Sequence, residues 1–197
     1  MTDFSLVEKN LKERGYKVCS FETAAQAADY LAEELKGKTV GIGGSVTIRD
    51  MGLYSRLTEN STVYWHWETG PEAREDAAKA QVYLTSVNGL AETGEIVNID
   101  GAGNRVASTL YGHEKVYFIV GENKLAKDLE GTIWRARNVA SPKNARKLGK
   151  KTPCAAKADR CYNCKSPDRI CRGLVILWEP MMGMEAEVIL IDEELGF

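Results

Sequence analysis

Apolar and polar positions along this chain alternate between a helical and an extended period. Residues 4–13 place Phe4, Val7 and Leu11 on one face, the spacing of a short amphipathic helix, and Gly15 ends it before an extended run at 16–19. Thr23 and Gln26 form a capping-box pair ahead of a stripe of Ala24, Ala27, Ala28, Leu31 and Leu35, which Gly37 closes. A strand at 39–43 runs into a Gly-Gly-Ser turn, and a helix follows over 48–57. The rhythm continues with strand 63–67, a helix opened by Pro71 and running to 80, strand 82–86, strand 96–100 and helix 104–111. A strongly apolar strand at 115–120 precedes a helix over 125–139, with Leu125, Leu129, Ile133 and Ala136 on its buried face. Two extended runs at 174–179 and 185–192 share a short loop and predict a C-terminal β-hairpin.

Strand–helix alternation of this kind predicts an α/β fold, a mostly parallel sheet with helices on both faces, to which the hairpin is added. The 197 residues suit one domain over 1–197 with a sizeable core. Within it, 143–173 is a basic, cysteine-rich insertion and 174–197 the hairpin. An irregular stretch of that length is uncommon in a compact domain unless something staples it or it is functional.

Composition adds little at first: 44% apolar and 27% charged residues are ordinary for a soluble globular protein. The start carries no basic segment followed by an apolar run, so no secretory signal is read there. The longest strongly apolar run, LVILW at 174–178, is far too short to span a bilayer. A cytoplasmic location is expected, and in a reducing compartment cysteines stay as thiols. Charge is more informative. The net value is −2, yet the segment 143–172 holds ten basic residues against Asp159 and Asp168, so it carries +8 and the remainder −10. Such a surplus attracts an anionic substrate or partner.

Four of the five cysteines, Cys154, Cys161, Cys164 and Cys171, lie in this segment with the spacing C-x6-C-x2-C-x6-C. Four convergent thiolates hold zinc or an iron–sulfur cluster, and basic neighbours lower thiol pKa values and offset the charge of such a centre. The spacing matches neither a two-knuckle zinc ribbon nor the common bacterial ferredoxin run, so both a [4Fe–4S] cluster and Zn stand as expected cofactors. Unligated thiols are the plainer alternative.

The second chemical segment is VGIGGSVTIRD at 40–50, between a strand and a helix. Gly41, Gly43, Gly44, Ser45 and Thr47 are placed to grip an anion, or simply to make a tight turn capped by Ser45. It lacks the third glycine of a dinucleotide fingerprint, since Val46 stands there. The third is the polar, glycine-rich run at 86–105. There Glu92, Asn98, Asp100 and Asn104 are candidates to line a cleft at strand ends, with Glu92 or Asp100 as acid–base or nucleophilic groups. Helix caps and turn closure explain the same residues without a ligand. His66 reads as a core or edge residue of the strand YWHW, and His113 as a loop residue facing cleft or solvent. Packing accounts for the tryptophans, and no basic–aromatic pattern indicates a nucleic-acid module.

GIGGSVTIRDMGL, YLTSVNGLAETGEIVNIDGAGNRVASTLYG, KVYFIVGENKL and the cysteine segment with its trailing ILIDEELGF together resemble the LUD domain, the lactate-utilisation family. The resemblance implies a fold related to ribose-5-phosphate isomerase, glucosamine-6-phosphate deaminase and CoA transferases. It also implies that Gly43, Gly44, Ser45 and Thr47 form a loop binding phosphate or carboxylate; Asn98 and Asn104 are added to that anion site as the cleft-lining candidates read above. Relatives in lactate-utilisation operons act with iron–sulfur partner subunits in oxidising L-lactate to pyruvate, whereas this chain looks like a standalone type with its own cysteines. The expected function is an oxidoreductase component that binds a small anionic metabolite and a cysteine-ligated cluster. Alternatives are an isomerase- or transferase-like enzyme with structural zinc, and a non-catalytic partner subunit stapled by metal. A homodimer through the hairpin edge is a further expectation.

Overall fold

The computed structural model describes residues 2–197. In chain order it contains α1 (Ser5–Glu13), β1 (Lys17–Phe21), α2 (Ala24–Glu34), β2 (Thr39–Ile42), α3 (Val46–Asp50), α4 (Leu53–Thr58) and β3 (Thr62–Trp65). Next come α5 (Ala73–Ala77), β4 (Val82–Ser86), β5 (Gly89–Ala91), β6 (Ile96–Asp100), α6 (Asn104–Leu110) and β7 (Lys115–Gly121). The chain continues through β8 (Leu125–Ala126), α7 (Leu129–Arg135), a π-helical turn at Ala136–Ala140, α8 (Ser141–Lys147), α9 (Pro153–Lys157), β9 (Gly173–Leu177) and β10 (Glu185–Ile191).

Six strands form one sheet in the order β1-β10-β7-β4-β2-β3, parallel throughout. Buried on both faces, its strands read as near-continuous apolar runs. Along β10, Ile189 and Ile191 join the core under α2, α3 and α4, with Leu31, Ile48 and Leu57. Val188 and Leu190 point the other way, to Val7 and Leu11 of α1 and to Leu90, Ile96 and Leu177. The last three belong to a second sheet, ordered β8-β5-β6-β9. No helix among the described residues is long and apolar enough to cross a membrane.

The predicted C-terminal hairpin does not form. β9 pairs antiparallel with β6, while β10 enters the main sheet between β1 and β7. The reason is burial: six of the seven β10 residues are buried, which a two-stranded ribbon would not achieve. The predicted helix over 48–57 is two short helices broken at Gly52, whose φ is +62°. That over 125–139 begins only at Leu129, where Asp128 accepts from Gly131 N–H. Its buried residues are Thr132, Arg135 and Ala136; of the predicted Leu125, Leu129, Ile133 and Ala136, only Ala136 is fully buried and the other three are half-buried. Thr23 and Gln26 do make their reciprocal capping box on α2.

One close approach fixes a wall of the site described below. A Cβ on Gly41 would lie 2.3 Å from the Ala77 carbonyl oxygen, so α5 rests directly on the backbone of β2.

Candidate functional site

A cavity of about 550 Å³ opens beyond the carboxyl ends of β2, β3 and β4, where open parallel sheets receive ligands. One side is the turn Gly44–Thr47, with His66, Trp67 and Arg74 beside it. The floor is Ser86–Asn88 and Lys124. The end of β6 and the loop after it contribute Ile99–Ala102, α6 contributes Asn104 and Arg105, and the insertion contributes Lys150, Asp168, Arg169 and Arg172. The π-helical turn brings Ala140 and Ser141 to the rim, with Ser141 donating to the Ala136 carbonyl at 2.8 Å. Widened turns of this kind recur at functional sites.

Charge in the cavity is lopsided. Among the described residues, the acidic side chains in the cavity wall are Asp100 and Asp168, against Arg74, Arg105, Lys124, Lys150, Arg169 and Arg172, with Phe197 also lining it. Both carboxylates are already engaged. Asp100 accepts from the backbone N–H of Gly101, Gly103 and Val106 at 2.6, 3.1 and 3.2 Å, and lies 3.7 Å from Arg105. Asp168 accepts from Lys151 N–H at 2.6 Å and lies 3.6 Å from Lys150. Asp100 is thus the cap of the turn that launches α6.

Two buried cations, Arg135 and Lys124, have no Asp or Glu within ion-pair distance among the described residues, although Arg135 Nη1 also donates to the Phe197 backbone oxygen at 3.4 Å. Arg135 donates to the Asn123 and Asn88 carbonyls at 2.9 and 2.5 Å, and burial pushes its pKa down to about 10. Lys124 is only 3% exposed and donates to Thr47 Oγ1 at 2.7 Å and Ser86 Oγ at 2.6 Å. Burial, with Arg135 and Arg105 nearby, pushes its pKa down to about 7. A lysine so placed is a functional-site signal. It lies in KVYFIVGENKL, and a lone Lys after an apolar strand gives no sequence mark of its burial.

The predicted residues divide. Gly44, Ser45, Thr47, Asp100 and Asn104 line the cavity. Ser45 caps α3 by accepting from Ile48 N–H at 3.2 Å. Gly43 lies just behind, where a Cβ would meet Tyr83 Oη at 2.9 Å and Arg105 Cγ at 3.0 Å, so any larger residue there would press on these two side chains. Asn98 is buried under the site, its Oδ1 accepting from Arg105 at 2.6 Å and from Asn88 N–H at 3.2 Å. Glu92 is not in the cavity. It sits past the opposite end of β5, its carbonyl accepting from Asn10 at 2.7 Å. The antiparallel β5–β6 pair explains this, because it carries 92–95 away from the strand ends. His66 has left its strand and lines the cavity, whereas His113 is buried, donating from Nδ1 to the Ala80 carbonyl at 2.7 Å. Of the tryptophans, Trp65 is buried, but Trp134 and Trp178 are mostly exposed, so packing does not account for those two.

The cysteine insertion is docked by ordinary contacts. Arg146 donates to the Ala155 and Ala156 carbonyls at 3.0 and 2.6 Å, and Arg172 N–H to the Asp100 carbonyl at 2.9 Å. Arg169 donates to Cys171 Sγ at 3.3 Å and to the Cys164 carbonyl at 3.1 Å. Cys154 contacts Thr152 Oγ1 at 3.3 Å. Among the described residues, no three His, Cys, Asp or Glu side chains form a group able to hold a metal ion. As placed, Cys171 accepts from Arg169, Cys161 lies 3.9 Å from Arg137 and Cys154 lies against Thr152, so among the described residues the thiols do not present an assembled ligand set.

The sequence matches the LUD domain family over residues 5–191, and the chain belongs to that family. Among solved structures it is similar to a DUF162 family protein from Deinococcus radiodurans, at 12% identity and a TM-score of 0.53, covering 97% of this chain and 99% of the other. That likeness shows the shared α/β fold. A ribose 5-phosphate isomerase A from Neisseria gonorrhoeae overlaps 54% of each chain at 15% identity and a TM-score of 0.37. No curated protein matches the sequence.

Proposed function

With LUD domain membership as the premise, we propose that the cavity binds a small anionic metabolite and that the chain acts on it as an enzyme. The observation that carries this is the unbalanced charge: six cationic side chains face two carboxylates that are already committed. A site of this kind is completed by a carboxylate or phosphate, and a partly enclosed cleft strengthens the attraction.

The acid–base group on this reading is Lys124, not Glu92 or Asp100. Glu92 lies elsewhere, and Asp100 holds its own turn. A lysine near neutrality exchanges a proton at physiological pH without an external cofactor. This favours the isomerase- or transferase-like alternative.

The finer reading, a lactate-utilisation-type oxidoreductase component working with an iron–sulfur partner subunit, assigns Cys154, Cys161, Cys164 and Cys171 to a [4Fe–4S] cluster or to zinc. Among the described residues these thiols form no assembled ligand group, so no step is derived through such a centre. Anaerobic purification with metal analysis tests it: about four irons per chain would restore the cluster.

Calorimetry at low salt with lactate, inorganic phosphate and ribose 5-phosphate tests the cleft. At least one should bind, and a paired Arg74→Gln, Arg172→Gln variant should bind it about tenfold or more weakly. Absence of binding by all three at millimolar concentration would remove the proposal.

A further inference from the structure

The hydrogen bonds of Lys124 decide which protonation state the protein accommodates. Its nitrogen lies within bonding distance of Thr47 Oγ1 and Ser86 Oγ. Each hydroxyl has one proton, and each directs it to a backbone carbonyl: Thr47 to Leu195 at 3.2 Å, Ser86 to Ile119 at 2.6 Å. A carbonyl only accepts, so neither hydroxyl has a proton left for the lysine. The lysine must donate to both.

A neutral amine has two N–H donors and one lone pair. Here both donors are taken, and the lone pair is left unshared. An ammonium would have a third N–H, for which no protein acceptor stands within reach among the described residues. The guanidinium groups of Arg105 and Arg135 oppose that extra charge. Lys124 is almost fully buried and yet part of the cavity wall, between Thr47 and Ser86, which also line it. A desolvated lysine beside other cations is a nucleophile toward carbonyl carbon.

We propose that Lys124 forms an imine with an aldehyde or ketone group of the anionic metabolite. The inference rests on reading the cleft as an anion site and narrows its substrate class to carbonyl-bearing carboxylates or phosphates. The nitrogen lone pair attacks the carbonyl carbon and the carbon–nitrogen double bond forms. The carbonyl oxygen and both amine protons depart as water. No oxidant or reductant is needed. Thr47 and Ser86 stand within hydrogen-bond distance of the nitrogen and hold it in place through its N–H donors, while the departing protons leave with the carbonyl oxygen as water.

The test is reductive trapping on the intact chain. Glyoxylate and, separately, glyceraldehyde 3-phosphate are incubated with the protein and sodium cyanoborohydride at neutral pH, followed by peptide mapping. Reduced adduct should appear on Lys124 about tenfold or more faster than on exposed Lys143, and inorganic phosphate should slow it. Lys124→Gln should lose that adduct; where this variant fails to fold, the wild-type map and the phosphate protection decide alone. Labelling spread evenly over surface lysines, or absent from Lys124, overturns the proposal. Calorimetry with phosphate separates the two claims. Phosphate binding without an adduct overturns the imine and leaves the anion site standing, whereas neither signal overturns both.

Discussion

Lys124→Met is the sharpest single perturbation, because it separates what this residue does for the cleft from what it does to the fold. Burial and two nearby guanidinium groups lower its ammonium pKa from 10.5 to about 7. Between those pH values the unfolded chain binds a proton that the folded chain has lost, so wild-type stability rises with pH across that window. Below pH 7 the whole penalty is present, about 4 to 5 kcal/mol by the size of the shift. Above pH 10.5 it is gone. Methionine has no such term, and its shape fills much of the same volume. Losing two hydrogen bonds to Thr47 and Ser86 costs the variant about 1 kcal/mol each. At pH 6 the variant should therefore be more stable than wild type by about 2 kcal/mol. From pH 6 to pH 9 wild type should gain about 2 to 3 kcal/mol relative to it. Urea denaturation of both proteins at both pH values reads this directly, and groups common to the two cancel. Stability curves that stay parallel within about 0.5 kcal/mol would show that Lys124 is not held near neutrality.

Three further outcomes follow from other contacts. Gly41→Ala should destabilise by about 3 kcal/mol in thermal or urea unfolding, because its Cβ would meet the Ala77 backbone rather than a flexible side chain, and the displaced α5 should weaken anion binding through Arg74. Glu187 is 2% exposed; burial alone would raise its pKa, but donors Lys115 at 2.6 Å, Tyr30 at 2.9 Å and Cys19 at 3.3 Å outweigh that and lower it. Its contribution is present above the ordinary glutamate range and lost as pH falls through the lowered value. Glu187→Gln should thus lose about 3 kcal/mol at pH 7, with the gap narrowing in acid; a pH-independent gap would contradict the pairing. Asp100→Ala should leave the global melt within about 2 kcal/mol of wild type while accelerating hydrogen exchange at Gly101, Gly103 and Val106, and unchanged exchange there would refute its capping role.

The α/β class and most strands were legible because parallel strands buried on both faces leave unbroken apolar runs, as in 115–120. The capping box and the Ser45 cap were legible because capping is local chemistry. The hairpin failed because pairing is not local: 174–177 and 185–191 are neighbours in sequence but choose partners β6, β1 and β7 from across the chain. Glu92 was misplaced for a related reason, since the sequence near 90 does not reveal that β5 turns back from the strand ends. Lys124 was missed because nothing in its own neighbours marks burial; its environment is assembled from Thr47, Ser86 and Arg135.

The position of β10 has a consequence for the order in which the protein acquires its fold. β1 must wait for a strand about 170 residues later in the chain, in register from Lys17 with Glu187 to Phe21 with Ile191. Any nascent chain or fragment ending before residue 185 leaves β1 and β7 as open edges with apolar flanks exposed. Such species are prone to intermolecular pairing and to chaperone capture until the last strand arrives. Solubility of truncated forms should therefore change abruptly at 185–191, and the sheet closes only as its final piece is threaded into the middle.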